Sequence, residues 1–320
     1  MFVIAAFLAL VAGYALQRGR ICAVVAVSEL IQHGRWRRFL SFLEGSAWAA
    51  AALLLAQAVS LEPPQPSFYV SSWTLAAIGG AVFGLGAVLN GSCAFGSASR
   101  LASGELSLLA TFAGFVTATI SVDRPALGAA NAAPAGAAMA AIAALVGVFV
   151  LWRLALGLQT ARTPARILRH LAARRWPPAL AMFVIAVANV ALMFVAANWS
   201  YLSVLADLTR GESQHLGARL VLMGLFFSGA VAGALTAGRF KLQGAHPVEL
   251  LLRFGAGAAM GFGAALIPGG NDSLVLFGMP SLQAPAFVAY AAMVTTIGLA
   301  LVVARAFRPR ALAAASSETR

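Results

Sequence analysis

Residues 79–106 read GGAVFGLGAVLNGSCAFGSASRLASGEL, and the interpretation of the whole chain starts from this stretch. It begins as a glycine-rich apolar segment and breaks at Asn-Gly-Ser-Cys, a cluster that is typical of a turn. Three serines and two further glycines follow before the next apolar run. Non-helical backbone is tolerated at membrane depth only where it packs within protein or lines a polar cavity. We therefore predict that Gly91, Ser92 and Cys93 lie at the functional centre.

The composition is that of a polytopic membrane protein. Of the 320 residues, 61% are hydrophobic and 10% are charged, whereas soluble domains carry about 25% charged residues. The net charge of +12 comes from basic residues that cluster in short connections between apolar runs, so it does not indicate a nucleic-acid partner. The sequence has no nucleotide-binding loop and no metal-ligand cluster. It therefore predicts no cofactor, no bound metal and no enzymatic activity.

A hydropathy scan predicts an all-α membrane fold with about nine apolar segments of membrane length. The first and fourth segments are short, and we expect them to be half-helices or re-entrant pieces. Basic clusters at 35–38, 153–175 and 305–310 are assigned to the cytoplasm, which places the N-terminus outside and the C-terminus inside. The segments are 2–16, 39–61, 69–90, 106–121, 134–156, 178–196, 216–238, 248–267 and 284–307.

The two halves of the chain resemble each other. Gly80-x3-Gly84-x-Gly86 recurs as Gly257-x3-Gly261-x-Gly263, and a glycine-rich break follows each motif. Gly19-Arg20-Ile21 is interpreted as recurring in Gly238-Arg239-Phe240. Close helix packing alone can explain one such pattern. Two patterns in the same order predict pseudo-symmetric, inverted repeats with a transport site at their interface.

These repeats divide the chain into four predicted parts. They are a first membrane repeat at 1–156, a basic cytoplasmic connection at 157–177, a second membrane repeat at 178–307 and a flexible cytoplasmic tail at 308–320. Broken helices at matching positions mark the binding site of many transporters. The breaks at 91–96 and 268–273 are therefore expected to face each other near the membrane midplane.

Two cysteines are candidates for the substrate path. Cys22 and Cys93 each lie near a glycine break at the end of an apolar segment. A buried cysteine is usually a small apolar residue, so it is the position at a break that favours a functional role. Nearby, Arg20 is a candidate for the path, and Arg18 is interpreted as an anchor at the membrane interface.

The second-half counterpart of Cys93 is Gly270, which is followed by Asn271, Asp272 and Ser273. We include all four in the candidate path. An ionisable residue at membrane depth is a functional hypothesis by default. If the turn reaches the outer water, however, Asp272 is only a solvated turn residue, and the sequence leaves both possibilities open.

The glycine and cysteine motifs together resemble those of a known family. Gly13-x5-Gly19-Arg20-x-Cys22, Gly80-x3-Gly84-x-Gly86-x6-Cys93 and Gly261-x-Gly263 resemble the YeeE/YedE sulphur-transport family, and the resemblance extends over most of the chain. It implies an importer of thiosulfate in the bacterial inner membrane. In this family, inverted halves are thought to form an hourglass in which a line of cysteines hands the anion along.

Carried over, the resemblance matches Cys22 and Cys93 to two family cysteines. The third cysteine, expected near Gly270, is missing, and Asn271-Asp272-Ser273 stands there instead. The family also implies a small cytoplasmic sulphur-carrier protein as a partner, in addition to the lipid bilayer. The missing cysteine leaves the substrate open between thiosulfate and a related small sulphur anion.

Two other functions compete with uptake of a sulphur anion. In one, Cys22 and Cys93 exchange persulfide or disulfide in a membrane thiol or sulphur-relay protein. In the other, the scaffold is a channel or exporter for another small anion. A reactive thiol pair needs Cα atoms about 4–7 Å apart, whereas successive transport sites can lie farther apart.

Overall fold

A computed structural model describes residues 2–61, 72–122, 144–153, 155, 172–196, 199–210, 216–267 and 269–318. The described residues form an all-α membrane fold, as predicted, and seven helical stretches are long and apolar enough to span a bilayer. The helices are α1 (Phe2–Gly19), α2 (Ala23–His33), α3 (Arg37–Ala58), α4 (Trp73–Asn90), α5 (Ala94–Ala102), α6 (Leu108–Ile120), α7 (Ala144–Arg153), α8 (Pro178–Ala196), α9 (Tyr201–Arg210), α10 (Leu216–Thr236), α11 (Pro247–Leu266) and α12 (Ala284–Glu318). Between α11 and α12, a short helix Asn271–Ser273 continues as a π-helical turn, Leu274–Gly278.

Each predicted apolar segment overlaps a helix in its described residues, and 134–143 of the fifth segment lie outside them. The lengths differ from the prediction in one place. The first segment is not a half-helix, because α1 has 18 residues. The fourth is short as predicted, since α6 has 13 residues. Most of the predicted basic connection, 157–177, lies outside the described residues, as does Pro268 in the second break.

Apolar side chains cover the outside of the bundle as well as its interior. Phe42 and Phe83 are fully buried, whereas Val3 and Leu251 are 79% and 72% exposed. A soluble protein rarely leaves such a large apolar surface in water. This distribution suits a protein that is surrounded by lipid.

Glycine allows α4 and α11 to pack against each other at backbone distance. A Cβ atom on Gly79 would lie 2.9 Å from the Gly263 carbonyl oxygen, and one on Gly86 would lie 2.9 Å from that of Ala256. The two helices run antiparallel, because the contacts move toward the start of α11 as they move toward the end of α4. The small residues of the repeated motif are therefore needed for close helix packing.

Corresponding glycines in the two halves make corresponding contacts. Gly80 packs on the backbone of Ala289 in α12, and Gly257, which lies 177 positions after Gly80, packs on the backbone of Thr111 in α6. Each of these two contacts joins parallel helices, whereas α4 and α11 are antiparallel. This arrangement is the one that inverted repeats produce, and the repeat boundaries themselves remain a prediction.

The predicted correspondence between Gly19-Arg20-Ile21 and Gly238-Arg239-Phe240 is wrong. A spacing of 177 residues places Cys22 opposite Trp199 and places α2 opposite α9. Gly238 instead follows α10, the counterpart of α3, and it has a left-handed φ of 67°. Glycine is common after helix C-termini, so its recurrence there has a local cause.

Arg18 is not an exposed interface anchor. It is 4% exposed, and its guanidinium donates to the Ala173 carbonyl oxygen at 2.8 Å and to Thr236 Oγ1 at 3.1 Å. It also donates to the Tyr14 hydroxyl. These bonds join the ends of α1 and α10 to the segment that precedes α8.

The packing of α11 gives a stability test with a control in the same helix. A Cβ atom on Gly257 would meet the backbone of Thr111, whereas one on Gly255 would meet no atom within 4 Å. We expect Gly257→Val to lower the melting temperature and the folded yield, because overpacking costs about 1–3 kcal/mol or more. Gly255→Val should behave almost like the wild type. Equal melting temperatures in detergent for the two variants would contradict this packing.

Candidate functional site

The two cysteines meet in the interior of the protein. Cys22 directly precedes α2 and Cys93 directly precedes α5. Their Sγ atoms are 3.8 Å apart, and the residues are 5% and 0% exposed, respectively. Both are free thiols. The structure thus places side by side two residues that are far apart in the sequence.

Backbone N–H groups surround the two sulphur atoms. The Ala23 N–H donates to Cys93 Sγ at 3.1 Å, and the Gly96 N–H also faces this sulphur. N–H groups in the first turn of α2 face Cys22. Helix N-termini carry partial positive charge and unpaired N–H groups, which makes them suitable for binding anions. Two such N-termini converge here.

A buried polar network holds the break between α4 and α5. Asn90 Nδ2 donates to Ser97 Oγ at 2.8 Å and to the Ser92 carbonyl oxygen at 3.0 Å, and Asn90 Oδ1 accepts from Thr111 Oγ1 at 2.8 Å. Arg253 donates to the Asn90 carbonyl oxygen. Gly91 has a left-handed φ of 69°, which costs glycine little. The network satisfies polar groups that the bilayer could not satisfy.

Two further contacts fix the position of Cys22. Gln17, at the end of α1, accepts from Ser99 Oγ at 2.6 Å and donates to Ser103 Oγ at 2.7 Å. These bonds dock α1 against α5. A Cβ atom on Gly96 would lie 2.6 Å from Cys22 Sγ, so this thiol occupies the space that the glycine leaves.

The turn that follows Gly270 is also buried. Asn271 is 0% exposed and Asp272 is 4% exposed, so Asp272 is not the solvated turn residue of the second sequence interpretation. Asp272 Oδ2 accepts from the Ser200 hydroxyl at 2.5 Å. Among the described residues, Asp272 Oδ1, both polar atoms of the Asn271 amide and the Tyr201 hydroxyl have no hydrogen-bond partner.

Tyr201 lies near the two thiols and near the turn Asn271–Ser273, which we call the acidic turn. It interacts electrostatically with Asp272 and with both cysteines, and its ring stacks on Phe226 at 5.3 Å between ring centroids. The Asn271–Ser273 helix also packs against α5. The two breaks therefore face each other through the protein interior.

Other predicted path residues have different surroundings. The Arg20 side chain is exposed, and it lies near the charges of Arg38, Arg175 and Arg239 rather than beside the thiols. Its backbone has a left-handed φ of 51° and its carbonyl oxygen accepts from Arg38 Nη1 at 2.9 Å. Ser92 is buried within the Asn90 network, whereas Gly91 is exposed and Ser273 is half-buried.

The sequence analysis did not include Ser200 and Tyr201, although a signal for them exists. The 177-residue spacing of the glycine motifs relates Ala23, which contacts Cys93, to Ser200, which contacts Asp272. The three-residue match at Gly238 indicated a different correspondence. The role of Arg253 has no comparable signal, because it depends on how α11 crosses α4.

The thiol distance predicts that an oxidant can join Cys22 to Cys93. Diamide would take up the two electrons and two protons that the two thiols lose when a disulfide forms. We expect the denatured protein to carry two maleimide labels before treatment and none afterwards. Cys22→Ala should retain its single label, because no partner thiol remains. Two labels after prolonged treatment of the wild type would show that the thiols do not meet.

Comparison with protein-family models identifies the chain independently of this geometry. Residues 18–299 match the family described as sulphur transport, and this match covers most of the 320 residues. No curated protein matches the chain significantly. The matched region includes both cysteines, both helix breaks and the acidic turn. The chain therefore belongs to the sulphur-transport family, the YeeE/YedE family that its glycine and cysteine motifs resemble.

Proposed function

We propose that this sulphur-transport protein takes up thiosulfate, or a related small sulphur anion, through a constriction at Cys22 and Cys93. The observation that carries the proposal is the contact between two thiols at two helix N-termini. Thiosulfate is a dianion, and burying it is very costly unless donors replace its water. N–H and S–H groups supply such donors without a trapped positive charge.

The same donors suit release as well as binding. Conduction requires a site that is favourable enough to enter and weak enough to leave. An arginine in the constriction would hold a dianion strongly, whereas thiols are weak donors that match the soft terminal sulphur of thiosulfate. The described structure brings Ala23 and Gly96 N–H groups to the thiols, while Arg20 lies at the surface.

A basic end of the bundle supports an inner-membrane orientation. Arg20 lies near the charges of Arg38, Arg175 and Arg239. Burial and the neighbouring charges of Arg175 and Arg18 lower the pKa of Arg239, so these basic groups are close together. We assign this end to the cytoplasm of a bacterium, as the positive-inside rule suggests.

The helix directions then give the positions of the termini. Because α1 ends among these arginines, its N-terminus lies outside. Helix α11 starts at the basic end and therefore runs outward. Helices α4 and α12 are antiparallel to α11, so both run inward, and the C-terminus lies inside. A cytoplasmic sulphur-carrier protein would receive the anion at this basic end.

One observation favours a second function. The thiols are close enough to react with each other, so a persulfide or disulfide relay remains the competing proposal. Transport and relay differ in what crosses the membrane. A transporter delivers the intact anion, whereas a relay delivers only the sulphur that it has transferred to a thiol. We propose transport of an intact anion, without an enzymatic step.

Growth provides the direct cellular test. A bacterium that cannot assimilate sulfate, and that lacks its own thiosulfate importer, should grow on thiosulfate only when it expresses this chain. Cysteine as the sulphur source should support growth with or without expression, which controls for toxicity. If expression at verified levels gives no growth on thiosulfate, this substrate is wrong.

Cysteine variants test the path itself. Loss of a hydrogen bond to a charged group costs about 1.5–3 kcal/mol, which corresponds to about ten- to a hundredfold in occupancy. Cys93→Ala should abolish uptake of labelled thiosulfate, because Cys93 lies where N–H groups of both α2 and α5 converge. Cys22→Ala should reduce uptake by less. Cys93→Ser should restore little, since a hydroxyl is harder and more strongly hydrated.

The matched control is Ser228→Ala. Among the described residues, the Ser228 hydroxyl donates only to the Gly224 carbonyl oxygen of its own helix, at 2.8 Å, so its loss should leave uptake unchanged. All variants are compared at equal membrane abundance. Wild-type uptake by Cys93→Ala would mean that this thiol only fills space.

A further inference from the structure

We propose that Asp272 is the proton-binding residue of the transport cycle and that a proton enters together with each anion. This inference rests on the proposed function and adds how the transport is driven. The site consists of Asp272, Asn271 and Tyr201, which are each at least nine-tenths buried, and the Asn271–Ser273 helix packs against α5, the helix that Cys93 precedes. The family cysteine is missing at this point of the path.

Asp272 differs from the other acidic residues whose side chains the structure describes. Each of the other four pairs with an arginine, namely Glu29 with Arg38, Glu44 with Arg153, Glu105 with Arg100 and Glu249 with Arg253. Among the described residues, Asp272 has no cationic partner, and its carboxyl faces the Ser200 hydroxyl and the backbone N–H groups of Asp272 and Ser273. An ionised carboxylate that is buried without a countercharge is costly, and a proton removes that cost.

Within the part of the chain that the structure describes, the neighbouring groups do not supply a compensating charge. Ser200, directly before α9, donates to Asp272, and Tyr201, at the start of α9, contributes a phenol and no cation. The cysteines are linked to this site through Tyr201, and Tyr290 of α12 interacts with Cys93. Arg219 of α10 directs its guanidinium to Ser203 Oγ at 3.1 Å. On α3, which packs against the 274–278 turn, Arg38 and Glu44 each have the partner given above.

The polar atoms that lack a hydrogen-bond partner explain how a proton on Asp272 would permit an anion to pass. Ionised Asp272 repels an anion strongly in a low dielectric. Protonated Asp272 is neutral and becomes a donor at a carboxyl oxygen, beside the unpartnered Asn271 amide and Tyr201 hydroxyl. Three neutral donors then replace part of the anion's water. One O–H bond forms at Asp272 when the proton enters, and the same bond breaks when the proton leaves.

The position of the acidic turn gives the order of events. Because α4 and α11 are antiparallel, the break with Cys93 follows the inner end of α4 and the turn with Asp272 follows the outer end of α11. An anion that enters from outside therefore meets Asp272 before the thiols. A proton from the outer water loads the site, and anion and proton move inward together.

Purified protein in proteoliposomes tests the coupling. Labelled thiosulfate is added outside, and a pH-sensitive dye reports the interior. We expect thiosulfate uptake to acidify the interior and to become faster as the external pH is lowered. Above the pH at which Asp272 loses its proton, uptake should fall by about tenfold per pH unit.

Variants separate coupling from folding. Asp272→Asn keeps a neutral donor, so it should still carry thiosulfate but lose both the interior acidification and the pH dependence. Asp272→Glu should keep both at a reduced rate, which tests the proposal even if the asparagine variant does not fold. Glu44→Gln removes an acidic group that pairs with Arg153 at 2.8 Å, and it should leave the coupling unchanged.

The outcomes distinguish this inference from the proposed function. Thiosulfate uptake by the wild type without acidification and without pH dependence would overturn the proton site and leave the transport function intact. Uptake that requires sodium and moves no proton would also overturn it, in favour of a metal cation at the same oxygens. Acidification that persists in Asp272→Asn would place the proton elsewhere. No uptake of thiosulfate by folded wild type would overturn thiosulfate as the substrate in both proposals.

Discussion

A chain that interrupts its helices inside a bilayer must satisfy the freed backbone and side-chain polar groups within the protein. The Asn90 network and the bond from the Ala23 N–H to Cys93 Sγ meet this requirement at the first break. They also leave two helix N-termini directed at two thiols. The interactions that allow the break to exist therefore also shape an environment that suits an anion.

The same scaffold has different chemistry in its two halves. A spacing of 177 residues relates Ala23 to Ser200 and Cys93 to Gly270. Ala23 contacts Cys93 itself, whereas Ser200 contacts Asp272, two residues after Gly270. One half thus offers soft, neutral donors, and the other offers an acid whose charge can change. In the proposed path, an acid in series with the thiols would regulate when an anion passes, whereas a third thiol would only add another neutral donor. This difference is why the missing cysteine bears on how transport is driven as well as on the substrate.

Sequence patterns predicted the fold class and the helix breaks, because hydropathy and glycine spacing are local signals, and they made the two cysteines candidates for the path. They did not predict that Cys22 and Cys93 touch, since that contact depends on how α1 docks against α5 through Gln17. A three-residue match at Gly238 gave the wrong repeat partner, whereas the 177-residue spacing leads to Ser200 and Tyr201. The burial of Asp272 could not be read from a turn motif, because the same residues also suit an exposed loop.

The most direct test of the account is a structure of the protein with selenosulfate, in which selenium replaces the terminal sulphur of thiosulfate. Anomalous diffraction would locate the selenium atom. We predict a selenium peak in contact with Cys93 Sγ, near the N–H groups of Ala23 and Gly96, and loss of that peak in Cys93→Ala. A selenium peak only among the surface arginines, with none at the thiols, would contradict the proposed path.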